Sequence, residues 1–325
     1  MKTHVLLADD PEGAFADKLR AVLPEEIVLT VEKEPVACGA ASILIAGRPA
    51  EELLTASPNL KWLIIPFAGV PSITLERLDL RPDIQVANLH HNAAATAEHA
   101  LGLLLTAAKG IVPADRELRQ NNWQIRYKLD TGLQLAGRSA VVLGYGAIGR
   151  RIARALRGLD VQVSALVRNR DRHQPTEDQL FCVDQLDTQL AEADFLINAL
   201  PETRETKNLI DARRIGLLSK STVLVNVGRA SAIAEEALYE ALRDHRIYAA
   251  GIDVWYRYPE NEEGRTDTAP SSFPFGDLGN VVLSPHRAGH AAGIDAERAH
   301  HCSQLILTIA QGEVPIDQID RDTGY

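Results

Sequence analysis

Three closely spaced glycines constrain what this chain can fold into more than any other feature of its sequence. They are Gly144, Gly146 and Gly149, in the segment VVLGYGAIGRRIARAL, directly after an apolar strand and at the start of a helix. In the spacing G-x-G-x-x-G the first glycine permits a tight turn, the second lets the backbone approach a pyrophosphate, and the third packs the helix against the strand. Free N–H groups at the helix start, at Ala147 and Ile148, favour an anion. The segment therefore predicts an α/β fold that binds a dinucleotide.

Short apolar runs alternate with helix-length segments along most of the chain, and this predicts two doubly wound α/β units with parallel sheets. The runs are apolar almost throughout, as strands covered by helices on both faces must be. A long helix from residue 93, closed by Gly110 and Pro113, separates the two series, and another is predicted for residues 289–311, with a tail that returns to the first unit. The runs are THVLLA, EIVLTV, ASILIA, KWLIIPF and IQVAN in the first series, and SAVVLG, VQVSALV, DFLINAL, TVLVNV, YAAGIDV and NVVLS, six strands, in the second.

The charge of the chain argues against two classes of partner. It has 34 basic and 44 acidic residues, a net charge of -10, and a surface of that sign repels nucleic acid and anionic lipid. The most apolar stretch, residues 93–112, contains charged side chains, so it predicts a buried helix rather than a membrane span. The first residues lack the pattern of a secretory signal. We therefore expect a cytoplasmic protein that binds neither nucleic acid nor membrane.

The cysteines indicate neither a disulfide framework nor a metal site. Cys38, Cys182 and Cys302 form an odd, widely spaced set without a C-x-x-C pair. Such a set is typical of a reducing compartment and cannot build a zinc site of thiolates. We predict no metal.

The residues after the second strand of the glycine-containing unit favour NADP(H) over NAD(H). An Asp or Glu normally stands there to bind the ribose 2′-hydroxyl of NAD. Here Val167 occupies that position, and Arg168, Arg170 and Arg172 follow, a cationic cluster suited to a 2′-phosphate. Two alternatives stay open: a solvated charged loop without a ligand, or a ribose contact from Asp171.

From about residue 55 to its C-terminus, the chain resembles the D-isomer-specific 2-hydroxyacid dehydrogenase family. The family includes glyoxylate/hydroxypyruvate reductases, phosphoglycerate dehydrogenase and formate dehydrogenase. The resemblance rests on the glycine segment and on six further motifs in the family's order: NLKWLIIPFAGV, HHNAAATAEHALGLLL, ALPETRETKNLI, LVNVGRA, AAGIDVW and LSPHRAG. It implies a flavodoxin-like substrate domain of residues 1–92 plus 291–325, a Rossmann dinucleotide-binding domain of residues 93–290, and a homodimer.

Two residues carry the chemistry that this resemblance implies. Arg229, in LVNVGRA, would bind the carboxylate and keto oxygen of a 2-keto acid, and a planar bidentate cation suits that task. His286, in LSPHRAG, would pass a proton to the carbonyl oxygen as hydride arrives, because histidine titrates closest to neutral pH. A structural ion pair of Arg229 remains an alternative.

One position departs from the family pattern. The family's carboxylate partner of the histidine lies five residues beyond the aspartate of GIDV, and this chain has Tyr258 there. Without a carboxylate neighbour, His286 lacks the support that would raise its pKa. Formate dehydrogenases resemble this chain in having a neutral residue at that position. An acid from the loop at residues 257–275, at Glu260, Glu262 or Glu263, is the alternative partner, although a solvated loop is the simpler reading.

Other family positions complete the expected site. Backbone N–H groups of Ala68, Gly69 and Val70, in FAGV, would hold the substrate carboxylate. Asn92, in HHN, would either line the substrate cleft or cap the helix that follows. Asp253 is a coenzyme contact by resemblance, or else a buried structural acid. The family's contacts with adenine, phosphate and nicotinamide correspond here to Leu200, Pro201, Thr206, Val227, Gly228 and Asp253.

These features favour an oxidoreductase that transfers a hydride between NADP(H) and a small 2-keto or 2-hydroxy acid. Tyr258 keeps two other functions open. One is a coenzyme-binding sensor with degenerate catalysis, and the other is a dehydrogenase of an oxyanion such as formate, which needs no proton relay.

Overall fold

The structure is a computed structural model, and it describes residues 2–8, 13–31, 39–55, 57–128, 132–174 and 176–321, with the exception of the side chain of Arg172. Internal contacts divide the chain into two compact units, residues 1–92 with 291–325, and residues 93–290. We refer to them as the terminal unit and the central unit. Within the described ranges, no helix is long and apolar enough to cross a membrane. Cys38 lies outside these ranges, and Cys182 and Cys302 are free thiols.

The terminal unit contains a five-stranded parallel sheet. Its strands are β1 (Thr3–Leu7), β2 (Ile27–Val31), β3 (Ile43–Ile45), β4 (Trp62–Ile65) and β5 (Gln85–Asn88), in the order β2-β1-β3-β4-β5. This is the flavodoxin-like order. The helices between them are α1 (Ala14–Val22), α2 (Glu51–Thr55) and α3 (Ser72–Leu78). Val5 and Leu7 pack into one core cluster and Leu6 into another, so the apolar run THVLLA buries both of its faces, as predicted.

The central unit contains a seven-stranded parallel sheet, one strand more than the sequence predicts. The strands are β6 (Ser139–Leu143), β7 (Gln162–Leu166), β8 (Gln179–Phe181), β9 (Phe195–Asn198), β10 (Val223–Asn226), β11 (Ala249–Ile252) and β12 (Val281–Leu283). Their order is β12-β11-β10-β9-β6-β7-β8, so the winding reverses beside β6, where such folds bind ligands. The additional strand is β8, an edge strand whose three residues, QLF, include only two apolar side chains, against three in the equally short β3 and β12. The helices are α4 (Ala93–Lys109), α5 (Ile111–Arg119), α6 (Ala147–Arg157), α7 (Leu186–Ala191), α8 (Ala212–Ile215) and α9 (Glu235–Arg243).

Two predicted helix boundaries need correction. Gly110, with a φ of 61°, ends α4 as predicted, but Pro113 lies in the first turn of α5 rather than in a loop. A proline is tolerated there because the first-turn N–H groups have no partner within the helix. The last helix, α10 (Ile294–Ala310), begins after Gly293 and not at Gly289. The tail packs on the terminal unit as expected, since Gln318 bridges to Ala87 of β5.

Candidate active site

The glycine turn lies at the carboxyl end of β6, and its first and third glycines leave no place for a side chain. Gly144 has a φ of 94°, in the left-handed region that favours glycine. A Cβ atom on Gly149 would lie 1.9 Å from the Gly144 carbonyl oxygen. Gly146 precedes α6, whose first residues are Ala147 and Ile148. The turn therefore brings bare backbone and a helix N-terminus together, which is the arrangement that a pyrophosphate requires.

The segment after β7 carries the predicted arginines. Val167 is buried, and the guanidinium of Arg168 pairs with Glu205 at 3.2 Å. Arg170 is exposed and begins a short 3₁₀ helix, which the side chain of Asn169 caps. Because Arg168 and Arg170 both reach solvent, a 2′-phosphate could contact them, but Glu205 would share the charge of Arg168.

A buried carboxylate fixes the far end of the same segment. Asp178 pairs with Arg157 of α6, and the hydroxyl of Tyr145 donates to Asp178 at 2.5 Å. Tyr145 lies between the first two glycines of the turn, so it connects the turn to the loop that contains the arginines. Sequence reasoning missed this link.

The loops after β9 and β10 interlock. A Cβ atom on Gly228 would lie 2.6 Å from the carbonyl oxygen of Leu200, so only glycine allows this approach. The Thr206 hydroxyl donates to the carbonyl of Pro201 at 2.8 Å and closes the turn that follows β9. Val227, next to Gly228, is buried. The predicted coenzyme residues of these two loops therefore lie side by side.

Two asparagines that the sequence analysis did not single out hold these loops together. Asn198 and Asn226 are the last residues of β9 and β10, and both are almost fully buried. The Asn198 amide donates to Asn226 Oδ1 at 2.9 Å and to the Arg229 carbonyl at 3.2 Å. The backbone N–H of Gly228 donates to Asn226 Oδ1 at 3.2 Å. The pair thus fixes the backbone that carries Arg229.

Arg229 is half-buried and has no carboxylate partner within 4 Å in the described part of the chain. Its Nη1 donates to the carbonyl of Gly228 at 2.8 Å. The alternative of a structural ion pair therefore finds no support in the central unit, and the guanidinium can accept an anionic ligand.

Asp253 organises the turn that carries His286. Its carboxylate is 1% exposed and accepts hydrogen bonds from the Ser284 hydroxyl at 2.5 Å, the Arg287 N–H at 2.9 Å and the Ala288 N–H at 3.0 Å. His286 itself has a φ of 52°, a strained conformation for a residue with a side chain. These hydrogen bonds therefore stabilise the turn. They fit the interpretation of Asp253 as a buried structural acid.

A second histidine contacts the same turn. Nε2 of His99, on α4, lies 2.9 Å from the Ser284 hydroxyl and 3.5 Å from Asp253 Oδ1. The Trp255 indole N–H donates to the Ser284 carbonyl at 2.8 Å. The sequence analysis assigned neither residue to the site.

Tyr258 lies beside His286, as its spacing from Asp253 predicts. The ring centroids are 5.4 Å apart, and the Trp255 N–H donates to the Tyr258 hydroxyl at 3.0 Å. Within the described residues no carboxylate approaches the His286 ring nitrogens to within 4 Å. Partial desolvation lowers the pKa of His286, Asp253 opposes this shift, and Arg229 and His290 add to it. Burial raises the pKa of Tyr258, which therefore stays neutral at ordinary pH.

The acids of the neighbouring loop, which lies within the described residues, form no ion pair with His286. Glu262 pairs with Arg265 at 2.6 Å, and Glu260 lines a shallow depression together with Tyr258. Glu263 begins a 3₁₀ helix at residues 263–266. None of the three replaces the missing partner of His286 in this arrangement.

The predicted substrate residues belong to the terminal unit. Ala68, Gly69 and Val70 form the loop after β4, and the side chain of Val70 packs against a core cluster. Asn92 directly precedes α4, at the position of a helix cap. In the described ranges, no group of three or more His, Cys, Asp or Glu side chains could hold a metal ion.

Comparisons with known proteins agree with this geometry. The model of the D-isomer specific 2-hydroxyacid dehydrogenase NAD-binding domain matches residues 101–288. A glyoxylate reductase of Pyrococcus horikoshii is 30% identical over 308 residues, which cover 92% of this chain and 87% of that protein. A D-3-phosphoglycerate dehydrogenase of Archaeoglobus fulgidus is 29% identical over 261 residues, 80% of this chain and 47% of that protein.

Solved structures of proteins with the same fold are also similar to this chain. A D-isomer specific 2-hydroxyacid dehydrogenase from Xanthobacter autotrophicus, in complex with NADPH and MES, has a TM-score of 0.83 and 25% identity, with full coverage of both chains. An NADPH-dependent glyoxylate/hydroxypyruvate reductase from Sinorhizobium meliloti, in complex with NADP and malonate, has a TM-score of 0.75 over 99% of this chain and 98% of that chain. At 22% identity, the second likeness shows the fold alone.

Proposed function

Because the chain belongs to the D-isomer-specific 2-hydroxyacid dehydrogenase family, we propose that it is an NADP(H)-linked reductase of a small 2-keto acid such as glyoxylate or hydroxypyruvate. The observation that carries this proposal is an arginine without an acidic partner, Arg229, close enough to His286 for its charge to lower the pKa of that histidine. An anion anchor and a proton donor on one sheet are what the reduction of a keto acid requires.

The central unit fits a nicotinamide dinucleotide. Its glycine turn leaves no space for a Cβ atom at Gly149 but exposes a helix N-terminus toward an anion. Gly144, Gly146, Ala147, Ile148 and Gly149 would hold the pyrophosphate. When bound, the coenzyme supplies the hydride. Leu200, Pro201, Thr206, Val227, Gly228 and Asp253 would contact the rest of the molecule.

The side chains of the central unit would do the remaining chemistry. Arg229 would bind the carboxylate of the keto acid through its planar guanidinium and orient the carbonyl group. His286, when protonated, would donate a proton to the oxygen that gains charge as the hydride arrives. The terminal unit would act as the substrate domain, with Ala68, Gly69, Val70 and Asn92 as its substrate contacts.

The preference for NADP(H) rests on Arg168 and Arg170. The absence of an acid at Val167 removes the usual ligand of the ribose 2′-hydroxyl, and a guanidinium matches a phosphate better. One structural relative, the 25% identical dehydrogenase from Xanthobacter autotrophicus, has been solved with NADPH bound, which favours the same choice. Glu205 would weaken the preference, because it already neutralises Arg168.

A homodimer would explain the exposed apolar surface around α5. No side chain of α5 is buried, and the chain exposes about half or more of Ile111, Leu118, Trp123 and Tyr127. A groove of about 580 Å³ runs between α5 and the segment at residues 279–282. Contiguous apolar surface of this kind marks an interface. Light scattering should show a dimer that Trp123→Asp weakens and that Val183→Asp, at another exposed apolar residue, leaves intact.

Tyr258 favours one second candidate, a coenzyme-binding sensor with little turnover. A neutral neighbour leaves the imidazolium of His286 without a counter-charge, so proton transfer is limited to low pH. A third candidate is a dehydrogenase of formate, a reaction that transfers no proton through such a pair.

One assay separates these functions. Purified protein is mixed with NADPH or NADH and a panel of 2-keto acids, or with NADP and formate, and the nicotinamide absorbance is followed. We expect glyoxylate or hydroxypyruvate to consume NADPH, Arg229→Ala to lower kcat/KM by ~100-fold or more, and the exposed Arg246→Ala control to have no effect. NADPH binding without turnover of any acid would establish the sensor instead, and reduction of NADP by formate would establish the third function.

A further inference from the structure

The loop after β4 is anchored to the terminal unit through two of its carbonyl groups. The side-chain amide of Asn88 donates to the carbonyl of Ala68 at 2.5 Å. Nε of Arg298, on α10, donates to the carbonyl of Pro66 at 3.1 Å. Neither anchor was singled out by the sequence.

Both anchors are themselves held by the core. Asn88 is the last residue of β5, next to the strand that leads into the loop, and is 5% exposed. The guanidinium of Arg298 lies over the ring of Phe15, 4.2 Å from its centroid. The side chains of Phe67 and Val70 pack against a buried cluster on one face of the sheet. The loop therefore has a defined conformation before any ligand binds.

This anchoring fixes the direction of two N–H groups. In a trans peptide the C=O and the following N–H point to opposite sides, and the described residues contain no cis peptide bond. Since the Ala68 carbonyl faces Asn88, the N–H of Gly69 faces away from it. In the same way, the Pro66 carbonyl faces Arg298 and the N–H of Phe67 faces away. Within the described part of the chain neither N–H donates to an acceptor.

We propose that Asn88 and Arg298 are positioning residues, which aim the N–H groups of Phe67 and Gly69 at the carboxylate of the substrate. Of the three N–H groups expected from the resemblance, this arrangement keeps that of Gly69 and puts that of Phe67 in place of those of Ala68 and Val70. This inference rests on the proposed function, since it names how the substrate loop of the 2-keto acid site is set. Two N–H donors on alternate residues match the two oxygens of a carboxylate, and hydrogen bonds to an ionised acceptor are the stronger kind. Because the loop is ordered in advance, binding costs less conformational entropy.

The test replaces the Asn88 amide with an apolar group of similar size. Asn88→Leu should raise the KM for glyoxylate and the Kd for oxalate, an unreactive analogue, by roughly tenfold, with kcat within about twofold. The NADPH Kd should not change, because the glycine turn belongs to the central unit. Asn88→Gln, which keeps a donor, should recover part of the affinity. Asn59→Leu is the matched control, since the exposed Asn59 amide donates to the Gly39 carbonyl at 2.8 Å in the same unit.

A spectroscopic measurement does not depend on turnover. In the wild-type protein the amide signals of Phe67 and Gly69 should move more than those of other loops on titration with oxalate, and in Asn88→Leu this response should shrink. If Asn88→Leu does not fold, Arg298→Met and Arg298→Lys repeat the comparison at the second anchor, with the lysine expected to retain more affinity.

The outcomes separate this inference from the proposed function. If Asn88→Leu has a lower melting temperature but an unchanged KM and oxalate Kd, Asn88 has only a structural role and the inference is overturned. Turnover of a keto acid by the wild-type protein would in that case still support the proposed function. Conversely, the loop amides could respond to oxalate although the protein reduces no keto acid. That result would support the inference and refute the proposed reductase activity. Amides that never respond would exclude the loop as a carboxylate site.

Discussion

Replacing Tyr258 with glutamate is expected to move keto-acid reduction to higher pH. The Tyr258 ring lies 5.4 Å from that of His286 and carries no charge. Partial desolvation lowers the pKa of His286, and Arg229 adds to the shift against the opposing effect of Asp253. As a proton donor His286 must be protonated, so reduction falls as pH rises through this lowered pKa. A carboxylate at position 258 would stabilise the imidazolium and raise that pKa.

The expected size follows from the ring separation. A unit charge about 5 Å from the imidazolium interacts by ~0.8 kcal/mol in water and by ~3 kcal/mol at an effective permittivity of ~20. Tyr258 and His286 are both exposed, so the lower value is the better guide. Since one pKa unit corresponds to ~1.4 kcal/mol, the falling limb should move up by ~0.5–1 pH unit.

The assay is the pH dependence of kcat/KM for the 2-keto acid at constant ionic strength. Tyr258→Phe is the matched control, because it keeps the ring and adds no charge, and its limb should stay where the wild-type limb lies. His286→Ala should remove most turnover without weakening NADPH binding. A limb that stays in place in Tyr258→Glu would refute the reasoning, because the group that titrates would then not be a histidine beside position 258.

Three further predictions follow from the structure. Gly149→Ala should weaken NADPH binding more than tenfold, because its Cβ would lie 1.9 Å from the Gly144 carbonyl oxygen, whereas Gly276→Ala, with open space around it, should bind as the wild type does in a fluorescence titration. Arg168→Ala should weaken the binding of NADPH by roughly tenfold and leave the binding of NADH unchanged, while Glu205→Gln should strengthen the binding of NADPH alone, as measured by calorimetry at fixed salt. Equal losses of affinity for both coenzymes would refute a 2′-phosphate contact. Burial lowers the pKa of His91 to about 4, with Arg298, His301 and His90 adding to the shift and Asp295 opposing it. Because the pKa of histidine in the unfolded chain is near 6.5, the neutral form of His91 stabilises the fold above that pH, and this stability is lost as pH falls toward 4. Between pH 7 and 4.5 the free energy of unfolding should therefore fall by ~2–3 kcal/mol more in the wild type than in His91→Phe, as measured by urea titration. Equal falls in the two proteins would contradict this linkage.

The sequence predicted the parts of the fold that have strong local patterns. Long apolar runs between helix-length segments predicted eleven of the twelve strands, and the glycine spacing predicted the turn after β6. The strand that was missed, β8, begins with a glutamine and has only two apolar residues, so pairing with β7 rather than its own pattern defines it. Pro113 misled because a proline breaks a helix interior but not a first turn.

The candidate site was predictable where spacing along one strand end fixes a position. Tyr258 lies beside His286 because the two residues follow β11 and β12, which are neighbours in the sheet. The pairing of Arg168 with Glu205 was not predictable, since the two residues are far apart in sequence and meet only once the loops after β7 and β9 are folded. Local pattern contains no information about such a partner.

The residues that were missed share a signal that the sequence does contain. Three strands, β5, β9 and β10, end in asparagine, in the runs QVAN, FLIN and VLVN, and all three side chains are buried. A buried amide must find hydrogen-bond partners, and at the carboxyl end of a parallel strand the available partners are the backbone groups of nearby loops. Asn88 reaches the Ala68 carbonyl after β4, and Asn198 reaches the Arg229 carbonyl after β10, each across to a neighbouring strand. An asparagine that ends an apolar run therefore indicates which loop the sheet holds in place, and here those loops carry the groups proposed to bind the substrate carboxylate.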